Sequence, residues 1–418
     1  MKAAIIAVGS ELLTPDRVDT NSLFLTAQLN RLGIEVARKT IVGDDLEALS
    51  REFRVALELA DVIIASGGLG PTEDDITREA LSAVLRRPLV QNEEVLKELQ
   101  AKFERFGRTM PQINVKQALV PVGATVLANP RGTAPGLWIE DGPRVVILVP
   151  GPPGELEPMF IERVGPRLEV RVTGARLFAR ELRVAGMGES AVDQAIAPIY
   201  KGYRDVQTTL LHVPGEIHVH LRLWSADGAA AEKRLDELVE RIRRALGEGL
   251  FTTKGEEMEQ VVAHQLTWHG ATIAVAESCT GGMLGERLTR IPGSSAYFVG
   301  GVLSYGNDLK TSWLDVPREL IDTKGAVSAE AARAMAEGVR KRAGTTFGLA
   351  ITGIAGPTGG TPEKPVGTVH IALADADGVQ DKAFRFPGDR GRIRGQATVA
   401  ALDMVRRYYL HAEDRKKQ

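Results

Sequence analysis

The chain opens on an unbroken apolar run, Ala3 to Val8, with a single lysine before it. Apolar residues without alternation read as a strand buried on both faces, as in a parallel sheet. Asp19-Thr20 then caps a helix predicted to run to about Leu32, with Gly33 as its stop. Residues 34–42 read as a second strand, 45–60 as a helix and 61–66 as a third strand. Arg144 to Val149 is a further apolar run, ended by Pro150. This alternation is the βαβ pattern of a doubly wound sheet, and it predicts an α/β domain over residues 1–165.

The pattern then changes twice. Residues 166–176 are polar with scattered Gly and Pro and read as a linker. Over 177–250 a strand (178–185), a helix capped by Ser190, two strands around Pro214-Gly215 (207–213 and 217–224) and a charged amphipathic helix (229–246) predict a small α+β module. Lys254-Gly255-Glu256 marks a second boundary. Residues 257–412 return to α/β, with strands at 271–276, 297–304, 346–352 and 366–374 and helices at 257–269, 281–290, 328–343 and 390–408. Lys416-Lys417 reads as an exposed tail. The fold class expected is two doubly wound α/β domains joined by an α+β module.

Composition narrows the function. A length of 418 residues fits two or three domains. A formal charge of −2 argues against a chain built to grip phosphodiester backbones, so direct nucleic-acid binding is not expected. Seven His and one Cys exclude zinc fingers, disulfide scaffolds and iron–sulfur clusters. No stretch approaches the ~18 apolar residues of a membrane span, and no signal peptide is visible, so the expected location is cytoplasmic. His218 and His220 share one face of a strand, but no third ligand candidate stands nearby in sequence. They read as exposed strand histidines ahead of a metal site. Asp375-Ala376-Asp377-Gly378 resembles the start of a calcium loop, yet Phe386 stands where that loop needs Glu, so it reads as a hairpin turn.

Ligands of doubly wound sheets bind at the carboxyl ends of the strands. In the first domain those ends carry Gly9-Ser10-Glu11, Gly43-Asp44-Asp45, the loop Gly67-Gly68-Leu69-Gly70-Pro71-Thr72-Glu73-Asp74-Asp75-Ile76-Thr77, and Pro150-Gly151-Pro152-Pro153-Gly154-Glu155. Glycines let backbone N–H groups approach an anion, and a helix start adds positive potential. Carboxylates beside such a loop make sense if a divalent ion sits between protein and phosphate oxygens, as Mg²⁺ prefers. The competing reading is that glycines end strands and that Asp74 or Asp75 caps the helix from Ile76.

In the last domain Ser278 stands at a strand-to-helix turn, Glu277-Ser278-Cys279-Thr280-Gly281-Gly282. A hydroxyl there projects at the strand end beside helix N–H groups that can stabilise an oxyanion. A serine nucleophile needs a base. His264, His269 and His370 sit in no convincing motif, which leaves Lys310, a few residues after the next strand end at Ser304-Tyr305. Burial can make a lysine neutral near physiological pH. A third strand end carries Thr352-Gly353-Ile354-Ala355-Gly356, and Arg390 to Arg394 open a helix where guanidinium groups can clamp a phosphate. Together these parts suit a serine amidohydrolase acting on a phosphorylated substrate. The competing readings are a helix cap for Ser278 and a solvated helix lysine for Lys310.

These motifs carry a family resemblance over essentially the whole chain. Gly-Leu-Gly-Pro-Thr-x-Asp-Asp-x-Thr (68–77), Gly-Ser-Glu-Leu-Leu (9–13) and Asp-Thr-Asn (19–21) resemble the molybdopterin-binding fold in the form found in the CinA (competence/damage-inducible protein A) family. Leu69 stands where the cofactor enzymes have Thr. For this domain the resemblance implies an ADP-ribose pyrophosphatase that uses a divalent metal, Mg²⁺ or similar, and leaves room for a monovalent cation. Its products would be AMP and ribose 5-phosphate. Asp44, Asp74 and Asp75 would handle metal and water, with Asp75 catalytic. Glu11, Asn21, Gly67, Gly68, Gly70, Thr72, Thr77 and Gly151 would contact substrate. Gly186-Met187-Gly188-Glu189 resembles the loop of KH domains, but Glu189 puts a carboxylate where an RNA phosphate would sit, which favours a spacer or dimer element.

Glu-Ser-Cys-Thr-Gly-Gly, Gly-Ala-Val-Ser (325–328), Thr-Gly-Ile-Ala-Gly-Pro, Lys-Pro-Val-Gly-Thr-Val (364–369) and Phe-Pro-Gly-Asp-Arg resemble the family's C-terminal domain. That domain also occurs alone as the PncC type of nicotinamide mononucleotide (NMN) deamidase. The resemblance implies Ser278 as nucleophile, Lys310 as general base and Tyr305 as helper, with no cofactor. It implies substrate contacts from Thr280, Gly281, Gly282, Thr352, Gly353 and Gly356, and phosphate contacts from Arg390 or Arg394. It also implies a homodimer. The competing classes are a regulatory adaptor with a protein partner in competence or DNA repair, and molybdopterin handling by the N-terminal domain.

Overall fold

The computed structural model describes residues 1–105 and 107–415; the Lys416-Lys417 tail lies outside them. The chain forms two compact units, residues 1–178 with 223–232 and residues 179–222 with 233–418. No helix among the described residues is long and apolar enough to cross a membrane.

The N-terminal domain runs β1 (Lys2–Val8), α1 (Thr20–Arg31), β2 (Glu35–Val42), α2 (Leu46–Leu59), β3 (Val62–Ser66), α3 (Thr77–Leu85), β4 (Leu89–Gln91), α4 (Glu93–Arg105), β5 (Leu119–Pro121), β6 (Thr125–Leu127), β7 (Gly136–Asp141), β8 (Arg144–Val149), α5 (Pro153–Met159) and α6 (Gly165–Arg171). Its main sheet has the order β2-β1-β3-β8-β7-β6. The first four strands are parallel, and β7 and β6 close the sheet antiparallel. The fully apolar run of β1 is explained by two-sided burial: Ile5, Ile64 and Ile147 pack with α1, α5 and α6, while Ile6, Ile63 and Val146 pack with α2 and α3. The chain turns to opposite sides of β1 for β2 and β3, so a crevice opens between the carboxyl ends of β1 and β3.

Residues 166–176, expected as a linker, are largely α6. Val164, Leu168 and Val172 recur every fourth residue and are buried, a helical stripe that the surrounding charges mask in sequence. Pro166 falls in the first turn, where a missing N–H costs nothing.

The middle module comprises β9 (Arg176–Ala185), α7 (Glu189–Tyr200), β10 (Val206–Val213), β11 (Glu216–Ser225), α8 (Gly228–Leu246) and β12 (Leu250–Thr252), in the sheet order β10-β11-β9-β12. Ser190 lies inside α7; the cap position belongs to Gly188, which offers no side chain.

The C-terminal domain comprises α9 (Met258–Trp268), β13 (Ile273–Glu277), α10 (Met283–Thr289), β14 (Phe298–Leu303), α11 (Asn307–Leu314), α12 (Arg318–Lys324), α13 (Ala329–Ala343), β15 (Phe347–Gly353), β16 (Thr368–Ala374), β17 (Val379–Arg385) and α14 (Arg390–Arg415). The sheet order is β14-β13-β15-β16-β17. β13, β14 and β15 are parallel, whereas β16 and β17 run antiparallel, joined by the turn at Asp375 to Gly378. The two faces differ in side-chain size. Ile273, Val275, Leu349 and Ile351 face α9, α10 and α14, while Ala274, Ala276 and Ala350 face α13. The alanine face lets α13 approach closely. A Cβ on Gly348 would stand 2.1 Å from the Ala336 carbonyl oxygen, and one on Gly338 would stand 1.9 Å from that of Leu314. Neither backbone atom can yield as a flexible side chain would. Gly338→Ala should therefore lower stability by about 1–3 kcal/mol, the usual cost of overpacking, despite alanine's better helix propensity. The denaturation midpoint measures this, and an unchanged or raised midpoint would contradict the close approach of α13.

Candidate functional sites

At the C-terminal sheet, β13 lies between two parallel neighbours, which fixes what stands beside Ser278. The Ser278 N–H donates to the Ile351 carbonyl at 3.0 Å, and the Ser304 N–H to the Glu277 carbonyl at 2.8 Å. The ends of β14, β13 and β15 therefore lie in one row. Lys310, in the first turns of α11, reaches back over that row. Its Nζ is 3.2 Å from Ser278 Oγ and donates to the Ser304 carbonyl at 2.6 Å. The Tyr305 carbonyl lies at 3.4 Å. Lys310 is 1% exposed and Ser278 9%. Burial disfavours the ammonium and holds the Lys310 pKa below the ordinary lysine value. The amine thus stands within hydrogen-bond reach of the hydroxyl in a setting that disfavours its charge.

The neighbouring thiol has the opposite character. Cys279 is buried, and burial pushes its pKa up to about 11. A thiol that keeps its proton at neutral pH is a poor nucleophile.

Glu277 corrects one expectation. The N-terminal N–H groups of α10 are not open to an oxyanion: Glu277 accepts from Gly282 and Leu284 on Oε2 at 3.0 and 3.1 Å, and from Gly285 on Oε1 at 2.8 Å. This carboxylate, 1% exposed, caps α10 from the preceding strand and shapes the turn that carries Ser278. Gly281 and Gly282 supply the left-handed backbone the turn needs, with φ of 57° and 94°.

The remaining expected residues divide between the opening and its support. Tyr305 is exposed, and its hydroxyl accepts from Arg390 at 2.9 Å. Arg390 also donates to the Gly356 carbonyl at 2.8 Å. Arg394 is committed to the loop, since its Nε and Nη2 both donate to the Thr280 carbonyl. Thr280 is buried with its hydroxyl unpartnered, and the Thr352 hydroxyl donates to the Ala326 carbonyl. At Gly353 a side chain would collide with Val369, and at Gly356 with Val366. Thr352, Gly353 and Gly356 thus have packing reasons of their own.

The N-terminal crevice holds a cleft of about 340 Å³ lined by Glu11, Asp44, Gly67, Gly68, Gly70, Thr72, Asp74, Asp75 and Gly151. Asn21 and Thr77 stand behind it and brace its loops, through the Gly151 carbonyl at 2.7 Å and the Gly67 carbonyl at 2.8 Å. Neither Asp74 nor Asp75 caps α3; Ile76 holds that position without a side-chain bond. Asp75 instead closes the glycine loop. Its Oδ1 accepts from Gly70 N–H at 2.8 Å, and its Oδ2 from Thr72 N–H at 2.9 Å and from the Thr72 hydroxyl. Asp44 accepts from Ser10 N–H at 2.8 Å, and Asp45 caps α2. Asp74 is exposed on the cleft wall.

Sequence reasoning missed Gln117 and Thr133, which also line the cleft, and named Glu155 only as part of a strand-end loop. It also missed Arg78, which is 1% exposed and donates to the Leu69 and Gly70 carbonyls at 2.9 and 3.0 Å. Those bonds tie the loop's carbonyls inward. A basic residue one position after the loop motif was the only available signal.

In the middle module, His218 and His220 are half-buried, not exposed, and a third potential ligand does stand beside them. Glu181, on the adjacent strand β9, brings its carboxylate within 4.8 Å of both rings.

Comparison with known proteins places each part. Residues 4–170 match the family described as a probable molybdopterin binding domain, 179–252 the damage-inducible protein CinA KH domain and 255–409 the CinA C-terminal domain. A CinA-like protein of Koribacter versatilis is 48% identical over 411 residues, covering 97% of this chain and 99% of the relative. A CinA-like protein of Dictyoglomus thermophilum is 41% identical, covering 98% and 100%. Among solved structures, a CinA protein of Thermoplasma acidophilum shares 37% identity over 38% of this chain and 95% of its own, with a TM-score of 0.37. The chain belongs to the CinA family, with a molybdopterin-binding-like domain, a KH domain and a CinA C-terminal domain in that order.

Proposed function

We propose that the C-terminal domain is a serine amidohydrolase that converts NMN to nicotinic acid mononucleotide and ammonia, and that the N-terminal domain cleaves ADP-ribose to AMP and ribose 5-phosphate. The observation that carries the first half is a buried lysine amine 3.2 Å from a serine hydroxyl at adjoining strand ends. Neutral Lys310 takes the Ser278 proton as Oγ attacks the carboxamide carbon. The resulting ammonium returns that proton to the departing nitrogen, and ammonia leaves. Water, deprotonated by the same amine, then hydrolyses the Ser278 ester and frees the carboxylate. Arg390, at the exposed mouth beside Tyr305, is the phosphate ligand of this reading. Arg394, already spent on Thr280, holds the loop.

The second half rests on charge. Glu11, Asp44, Asp74, Asp75 and Glu155 line the N-terminal cleft; among the described residues no Lys or Arg lines it, and the nearby Lys116 is bonded to the Thr72 carbonyl. Such a wall repels a diphosphate unless a hard cation lies between them. All five offer oxygen donors, which fits Mg²⁺. Asp74 and Asp44 would hold the ion, which neutralises diphosphate charge and lowers the pKa of bound water. Asp75 keeps the glycine loop in place, so that loop N–H groups face the phosphates.

The deciding experiment is incubation of the full chain with NMN and with ADP-ribose, with and without Mg²⁺, and identification of the products. Turnover of neither substrate would favour a regulatory adaptor. Ser278→Ala and Lys310→Ala should each cut ammonia release by about 10³-fold or more while sparing AMP formation. Cys279→Ser should stay active, and near-parental deamidation by either of the first two variants would reject the pair. Deamidation should rise with pH as Lys310 loses its proton, and burial places that rise below the ordinary lysine range. Lys310→Arg, charged at every working pH, should be inactive throughout; a rate profile unaltered by that change would remove Lys310 as the base. Chelation, or Asp74→Asn, should stop AMP formation and leave deamidation intact. Chelator-resistant cleavage would overturn the metal's role.

A further inference from the structure

We propose that Glu181, His218 and His220 form a binding site in the middle module for a divalent transition-metal ion of the Zn²⁺ class, separate from the acidic N-terminal cleft. His218 and His220 alternate with Val219 on β11, so both rings leave one face of the sheet. Glu181 stands beside them on the neighbouring strand β9. One ligand atom from each lies within 4.8 Å of the others. Donors of a tetrahedral zinc stand about 3.3 Å apart, from bonds of roughly 2.0–2.1 Å, so side-chain rotation closes the set without moving the strands.

The surroundings match a metal-binding histidine. His218 Nε2 bonds to Glu216 Oε2 at 3.0 Å, while its Nδ1 faces Glu181 at 3.7 Å. A carboxylate on the far ring nitrogen fixes the tautomer and makes the near nitrogen a better donor, the usual partner of a ligating imidazole. Glu216 is itself buried at 5%. The nearby cations do not dominate. Arg183 lies 2.9 Å from both Glu181 and Glu257, and Arg287 lies 3.9 Å from Glu216. Arg222 also acts on His220, so three guanidiniums face Glu181, Glu216 and Glu257, and the donor set itself, not a surplus of negative charge, must attract the ion. Two imidazoles with one carboxylate select a borderline metal over Mg²⁺. Three protein ligands leave a fourth position for water.

The test is a Zn²⁺ titration of the full chain after chelator treatment, in excess Mg²⁺ to fill hard oxygen sites, with bound zinc counted by elemental analysis after dialysis. One equivalent should bind, and it should bind unchanged in Asp74→Asn. It should be lost in His220→Gln and in Glu181→Gln, and Glu216→Gln should weaken it by about 10- to 100-fold. Co²⁺ in place of Zn²⁺ should give the visible absorption of a four-coordinate ion in the parent chain and not in His220→Gln. Thermal denaturation without metal checks that each variant is folded; zinc should raise the midpoint of the parent and leave that of His220→Gln unmoved. The proposal is overturned if folded His220→Gln binds as much zinc as the parent, or if the parent binds none under excess Mg²⁺.

Discussion

One amine kept out of water governs the C-terminal strand ends. Lys310 is 1% exposed, and the groups about its Nζ are the Ser278 hydroxyl and the carbonyls of Ser304 and Tyr305. Neutral oxygens can accept hydrogen bonds from an amine in either protonation state. They do not stabilise the ammonium as a carboxylate would, so burial decides the balance. The arrangement needs β14 beside β13, because that pairing sets the Ser304 carbonyl and the Ser278 hydroxyl within reach of one side chain. β15 lies on the other side of β13. The same topology opens the crevice through which a substrate can approach.

Both α/β domains then use one device to shape their glycine loops. In each, a carboxylate close to the loop accepts several of its backbone N–H groups: Glu277 takes three around the start of α10, and Asp75 takes two across the Gly70–Thr72 segment. A loop of glycines has too much backbone freedom to hold one shape unaided. Charge-assisted bonds to an acceptor anchored in the fold supply what the loop lacks. In the N-terminal domain, Arg78 adds the complementary half by holding two loop carbonyls from beneath. An acidic residue beside a glycine-rich loop can therefore be read as a ligand when its oxygens are already committed to the loop.

That ambiguity marks how far the sequence could be read. Apolar runs and their caps located β1, α1, β3, β8 and β13 almost to the residue, because two-sided burial leaves an unmistakable pattern. The nearness of Lys310 to Ser278 was legible through the motifs and the family resemblance they carry. The α6 helix was not, because its buried stripe is narrow and a proline and charged neighbours surround it. Glu277 was visible but its role was not, since the sequence does not say whether a carboxylate before a helix caps it or faces solvent. Glu181 was further out of reach. Its nearness to His218 and His220 is created by strand pairing across 37 and 39 positions, a separation that no local spacing rule detects.

The two candidate sites also differ in the charge around them, which bears on why one chain would carry both. Among the described residues, five carboxylates and no basic side chain line the N-terminal cleft, whereas at the C-terminal site Arg390 is bonded to the exposed Tyr305. An acidic wall accepts a polyphosphate only together with a cation, so under the proposed reading affinity there would depend on metal concentration. A guanidinium meets a phosphate monoester directly and is indifferent to divalent ions except through their competition for the phosphate. Under the proposed reading, ADP-ribose and NMN would be sorted by this difference in charge. Grafting an arginine onto the N-terminal wall would then relax the metal requirement for binding, though not for cleavage, because an arginine carries charge but does not lower the pKa of a water as a bound ion does.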